Sequence, residues 1–186
     1  MIGFLAGIEL LACWFAWAYP FIVFAPHGQK REASTDVAST IAGFSLQGAA
    51  VFVAWTVRAA QSDPPGIARI VASMLLGPAA AAIAWGAVKQ LGKQFRITAG
   101  VFTDHELVCG GPYRVVRHPI YASLLLLLVA TLMLLTPPLW IGISVALFIA
   151  GTEIRINAED RLLGFHFGGE FEKYRKSVRA YIPFIR

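Results

Sequence analysis

Five apolar runs, at residues 2–24, 37–57, 70–88, 120–135 and 139–154, constrain this chain more than any other feature. Hydrocarbon offers no partner to a free backbone N–H or C=O, so segments of this kind that cross a bilayer must be helical. Each of the first three runs is long enough to span ~30 Å of hydrocarbon at ~1.5 Å per residue. The last two are shorter and are separated only by Thr136-Pro137-Pro138. They read as a tight helical hairpin whose two ends lie on the same side, whether it crosses fully or re-enters. Only 15% of the 186 residues are charged, against ~25% in a soluble domain. The expected fold is therefore all-α, a polytopic integral membrane protein of about five transmembrane helices. The first run has no Lys or Arg ahead of it and is too long for the apolar core of a leader peptide, so it is expected to remain as a span.

Charge sets the expected orientation. With the N-terminus outside and the C-terminus cytoplasmic, 14 of the 16 Lys and Arg residues fall on the inner side, and only Arg58 and Arg69 lie outside. This is the pattern of the positive-inside rule. The net charge of +5 is then mainly a topology signal with some pull on anionic headgroups, and nothing in it calls for nucleic acid. Cys13 and Cys109 fall at opposite ends of this topology, so no disulfide or thiolate metal site is expected. The histidines, His27, His105, His118 and His166, show no metal-ligand spacing, and no metal is expected.

Two polar clusters flank the hairpin. Gly110-Gly111-Pro112-Tyr113-Arg114-Val115-Val116-Arg117-His118-Pro119-Ile120-Tyr121 precedes it, and Arg155-Ile156-Asn157-Ala158-Glu159-Asp160-Arg161 follows it. Charge at a bilayer boundary is costly unless it is paired, hydrated or used, and one hairpin must bring the two clusters together. Pro119 suits the first turn of a helix and holds His118 extended just ahead of it, with Tyr121 one turn in. A helix N-terminus of this kind favours an anion such as a carboxylate. Arg155 and Glu159 stand four apart and share a helix face. Read alone, these groups fit a snorkelling interface and a surface ion pair as well as a site that takes a substrate anion and a cationic ligand group. Glu9, in the first run, is close enough to the outer end to reach water. Ser45 and Gln47 read as contacts between helices, and the five tryptophans as packing or interface anchors.

The strings His105-Glu106-Leu107-Val108, Gly111-Pro112-Tyr113 and Arg117-His118-Pro119-Ile120-Tyr121 resemble the signature of the isoprenylcysteine carboxyl methyltransferase family. So does the later series Arg155, Glu159, Asp160, Leu163, Phe167-Gly168, Glu170, Phe171, Tyr174, Val178 and Ile182-Pro183. The related phospholipid methyltransferases are similar. The resemblance covers about residues 91–186, and residues 1–90 read only as three transmembrane helices on the substrate side. Within the methyltransferase-like half, residues 91–119 form a cytoplasmic loop, 120–156 the hairpin and 157–186 C-terminal helices broken at Gly168-Gly169. The family usually has Glu-Glu where this chain has Glu159-Asp160, and often a glycine where it has Ser123.

The resemblance implies an S-adenosyl-L-methionine-dependent enzyme whose active site faces the cytoplasm and whose acceptor is a lipid or isoprenoid-type amphiphile drawn from the bilayer. It implies a cofactor pocket formed by His105, Leu107, Val108, Gly111, Tyr113, Arg117, His118, Pro119, Tyr121, Glu159 and Asp160. Arg155 and Glu159 are the implied catalytic pair, Arg155 holding a substrate carboxylate and Glu159 facing the cofactor's ammonium. Carboxyl O-methylation is the leading expectation. Amine N-methylation, with Asp160 or His105 as the base, stands beside it. A sterol-reductase-like NADPH enzyme fits poorly because such chains carry more spans. A small transporter or a non-enzymatic scaffold fits poorly because the polar groups crowd one face and not the midplane, where a translocation site should lie.

Overall fold

The computed structural model describes residues 2–24, 31–34, 36–58, 64–95, 100–102 and 106–185. Among the described residues, four helices are long and apolar enough to cross a membrane: α1 (Ile2–Val23), α2 (Val37–Thr56), α3 (Ile67–Leu91) and α5 (Pro138–Phe167). Between α3 and α5 stands α4 (Pro119–Leu135), apolar but only 17 residues long. The short α6 (Gly169–Ser177) completes the set. The architecture is helical as expected, with one addition among the described residues: β1 (Arg31–Ser34) pairs antiparallel with β2 (Gly100–Phe102). This ribbon ties the α1–α2 connection to the segment after α3, so both emerge at the same end of the bundle.

The run at 139–154 is not a separate short span. It is the first half of the 30-residue α5, which continues through the second polar cluster and stops at Gly168, where φ is +53°. A left-handed residue of this kind ends a helix, and glycine adopts it without steric cost. At the opposite end of the bundle, Arg69 donates from Nη2 to the carbonyls of Leu132 (3.0 Å) and Thr136 (2.5 Å). A guanidinium on the last carbonyls of α4 satisfies groups the helix leaves open and matches its dipole. One of the two arginines read as lying outside is thus a cap for the hairpin.

Helix α4 is the centre of the bundle. Leu127, Ala130 and Leu134 pack with Ala6, Leu10 and Cys13 of α1 and Ala80 of α3. Its other face, Leu128 and Leu132, meets Ala50 and Ala54 of α2 and Phe148 of α5. A helix apolar on all sides is a helix buried on all sides. Small residues set the closest approaches, as is usual between membrane helices. At the α2–α5 crossing, a Cβ added to Gly151 would stand 2.7 Å from the Gly43 carbonyl and 2.9 Å from Leu46 Cβ. Gly151→Ala is therefore expected to force α2 and α5 apart at a cost of about 1–3 kcal/mol. Thermal denaturation in detergent checks this against Gly142→Ala on the same helix, where nothing lies within 4 Å and no loss is expected.

Candidate active site

The polar string before α4 is held by backbone, not only by side chains. It turns through a 3₁₀ segment, Gly111–Arg114, entered at Gly111 with φ +57°. The chain's last described segment runs beside it: Arg117 N–H donates to the Arg179 carbonyl (2.8 Å) and His118 N–H to that of Ala180 (2.7 Å). Pro119 opens α4, and His118 sits just ahead at φ −123°, ψ 64°, outside the helical region as its place before proline requires. Tyr174 of α6 donates its hydroxyl to the Tyr113 carbonyl at 2.6 Å. Burial pushes the phenols of Tyr113 and Tyr174 up, so both remain neutral.

The two polar clusters meet as expected. His118 lies between the two acidic residues of α5, with Nε2 2.9 Å from Asp160 Oδ1 and Nδ1 3.4 Å from Glu159 Oε2. Adjacent carboxylates on a helix point about 100° apart, so one imidazole bridges two diverging acids. With an acid at each nitrogen, the charged ring can donate both ways. Burial alone would lower the pKa of His118, but the hydrogen bonds and charges of Asp160 and Glu159 outweigh it and hold the group above the usual histidine range. Asp160 also pairs with Arg117, Nη2 to Oδ2 at 2.9 Å, and both side chains are buried. Arg117 in turn donates to the Val178 carbonyl at 2.5 Å.

Glu159 accepts a hydrogen bond from Tyr121 and lies 3.8 Å from Arg155 Nη2. The Arg155 guanidinium is sandwiched between the rings of Phe44 (3.7 Å) and Tyr121 (4.8 Å). It donates from Nη1 to Gln47 Oε1 at 3.1 Å, while Gln47 Nε2 donates to Thr152 Oγ1 at 2.9 Å. Planar stacking with a fixed donor fork is a setting that suits arginine. Three cations, Arg117, His118 and Arg155, thus surround two carboxylates.

A cavity of about 710 Å³ opens beside this network, within the range of small-molecule sites, ~300–1,000 Å³. Arg155, Glu159, His118 and Tyr121 form its polar end, with Leu107, Val108, Tyr113 and Tyr174 alongside. From there it runs between α1 and α2, where Trp17, Phe21, Phe44 and Val51 make apolar walls. Helix α1 packs on α3 and α4, and α2 packs on α4 and α5, so the cavity follows the seam between the first two helices.

Of the residues expected in the pocket, Leu107, Val108, Tyr113, Arg117, His118, Tyr121, Arg155 and Glu159 line it. Gly111 and Pro119 shape the backbone without lining it. Asp160 stands behind His118 and lines a different cavity. His105 lies outside the described residues. Sequence reasoning missed Phe44, and it took Gln47 for a contact between helices; Gln47 is that contact, and it also seats Arg155. The signal was the spacing of Gly43 and Gln47, a small residue and an amide one turn apart on α2. The serine at the position where the family often has glycine is buried and accepts a hydrogen bond from Trp17 Nε1 at 2.9 Å. Ser123 therefore anchors the tryptophan that forms one wall of the cavity.

The profile of the isoprenylcysteine carboxyl methyltransferase (ICMT) family matches residues 72–164, half of the chain. Two curated relatives from Oryza sativa, subspecies indica and japonica, each described as a probable protein-S-isoprenylcysteine O-methyltransferase, are 35% identical over 83 residues. That stretch is 44% of this chain and 43% of each relative. The protein-S-isoprenylcysteine O-methyltransferase of Schizosaccharomyces pombe is 36% identical over 85 residues, 44% of this chain and 35% of its own length. The match therefore spans less than half of these relatives. It contains α4, the seat of His118 and both acidic residues, whereas α1 and α2 precede the matched segment.

Proposed function

Because the chain belongs to the isoprenylcysteine carboxyl methyltransferase family, we propose that it methylates the carboxylate of a membrane-resident, isoprenoid-type amphiphile, using S-adenosylmethionine. When bound, that cofactor supplies an electrophilic methyl group on a sulfonium. The cavity suits it: a cationic ligand needs a carboxylate on the wall, and Glu159 lines the cavity with Tyr121 and His118 holding it in place. Aromatic faces of Tyr113, Phe171 and Tyr174 give a purine and a cation flat surfaces to stack on.

The observation that carries the carboxylate reading is the engagement of the two acids of α5 and the imidazole beside Arg155. Asp160 is held by Arg117 and His118, Glu159 by Tyr121 and His118, and the two acids favour the charged form of His118. The acids and the imidazole beside Arg155 are thus all engaged and not free to serve as a base for an ammonium; the cavity's other acid, Glu106, is exposed on the preceding loop. A nucleophile that arrives ionised needs no base. Three cations against two carboxylates leave one positive charge for it, and Arg155 at the cavity wall is the group to orient it. The catalytic work is placement: a carboxylate oxygen and a methyl donor held in line. The seam between α1 and α2 gives the acceptor's apolar tail a route from the bilayer. The positive-inside pattern supports a cytoplasmic position for this end of the bundle.

Calorimetry of the purified protein in detergent tests the reading. S-adenosylhomocysteine is expected to bind one to one, and NADPH to give no heat. Binding of NADPH in its place, or of neither by folded protein, overturns it.

A further inference from the structure

A second cavity, of about 460 Å³, lies on the far side of the Arg117–Asp160 pair. Four arginines line it, Arg117, Arg161, Arg175 and Arg179, and Asp160 is its one acid. Asp160 is already neutralised from within by Arg117 and His118. Arg175 shares part of its charge with Glu172, 3.5 Å away and itself half-exposed. Arg161 and Arg179 are exposed and belong to no ion pair among the described residues. Guanidinium groups converging on one concavity from α5, α6 and the final segment make a site for a phosphate-bearing anion, to which arginine offers paired donors.

Depth selects the kind of anion. The last apolar run ends at residue 154, and the lining residues Asn157, Asp160 and Arg161 stand three, six and seven residues further along the same helix, ~5–10 Å at ~1.5 Å per residue. Headgroups occupy a layer ~5–8 Å deep on each side of the hydrocarbon, so the cavity opens at headgroup level. Its rim is apolar: Ile185 lines it and is 76% exposed, and Phe184 beside it is 93% exposed. A basic hollow with a greasy lip fits a lipid better than a free ion.

We propose that this cavity binds the phosphate headgroup of an anionic phospholipid. The site is separate from the methyl-transfer reading, but it touches the same machinery. Arg117 and Asp160 line the lipid cavity and hold His118 on the other side, so an occupied headgroup site braces the wall of the main cavity.

The test uses the whole chain in a neutral detergent, with short-chain phosphatidylglycerol, short-chain phosphatidylcholine and inorganic phosphate as separate probes. The readouts are the melting temperature and the dissociation constant from native mass spectrometry. Phosphatidylglycerol is expected to raise the melting temperature through preferential binding to the folded state and to bind at least ~10-fold tighter than phosphatidylcholine, the factor expected of ~1.4 kcal/mol. Arg161→Gln with Arg179→Gln is expected to remove that preference. Lys173→Gln with Lys176→Gln, which takes the same charge from exposed positions of α6 outside the cavity, is expected to keep it. Each single arginine variant stands in if the double variant does not fold. Equal binding of the two lipids, or equal loss in the arginine and lysine variants, overturns the site. Stabilisation by inorganic phosphate that matches the phosphatidylglycerol effect at equal concentration overturns the lipid assignment.

Discussion

Glu159→Ala is expected to leave a folded protein that no longer binds S-adenosylhomocysteine measurably and methylates at least ~10²–10³-fold more slowly, the scale seen when a fixed electrostatic contact to the reacting group is removed. Glu159 is the one carboxylate on the wall of the main cavity that also joins its two halves. It takes a hydrogen bond from Tyr121 of α4, faces His118 Nδ1, and lies along α5 from Arg155. Without it the main cavity carries three cations facing a cationic cofactor. Glu159→Gln separates charge from shape, since the amide oxygen can still accept from Tyr121. If charge is what matters, Glu159→Gln falls with Glu159→Ala. Binding retained by both variants removes Glu159 from the cofactor site.

Asp160→Ala is expected to show the reverse pattern, with stability lost first. Its carboxylate is buried between Arg117 and His118, both buried as well. Removing one member of such a cluster leaves uncompensated charge and costs about 3–5 kcal/mol. A lowered melting temperature in detergent is the measurement, with Glu159→Ala as the milder comparator because that side chain faces the cavity. The pH response gives the cluster a second signature. The pKa of His118 is raised in the folded state above the ordinary 6.5. Its contribution to stability is thus fully present below about pH 6.5 and is lost as pH rises through the higher, folded value. Wild-type melting temperature is expected to fall across that alkaline-side window. His118→Gln is expected to flatten this part of the profile, and Asp160→Asn to reduce it. A wild-type profile that rises with pH there contradicts a protonated His118.

Much of this was legible from residues alone because membranes simplify the reading. Long apolar runs had to be helices, and a hairpin of two such runs had to bring its flanking charges together. The i, i+4 spacing of Arg155 and Glu159 on one helix, and the stop at Gly168, needed no tertiary information. Other features depended on it. The docking of residues 179 and 180 along residues 117 and 118 is made by backbone groups, which every sequence carries and which therefore leave no signature. The family resemblance places both adjacent acids in one pocket. The helix separates them by a third of a turn, and they end up on different cavities. The lateral order of α1 to α5 is set by which small residues meet, and that decides that Phe44 and Gln47 face Arg155.

The seat of Arg155 also bears on how much of this protein can be borrowed. Its flanking ring and its amide partner come from α2, while Arg155, Glu159 and His118 come from the stretch shared with the relatives. Gly43, one turn from Gln47, lies against the Arg155 side chain and leaves room for it. A chimera that joins residues 72–164 to foreign leading helices would inherit every charged group of the site and lose the clamp that aims one of them. Swapping acceptor specificity by exchanging α1 and α2 is therefore a graft with a compatibility condition: the incoming second helix must bring a glycine, an aromatic ring and an amide at positions equivalent to 43, 44 and 47.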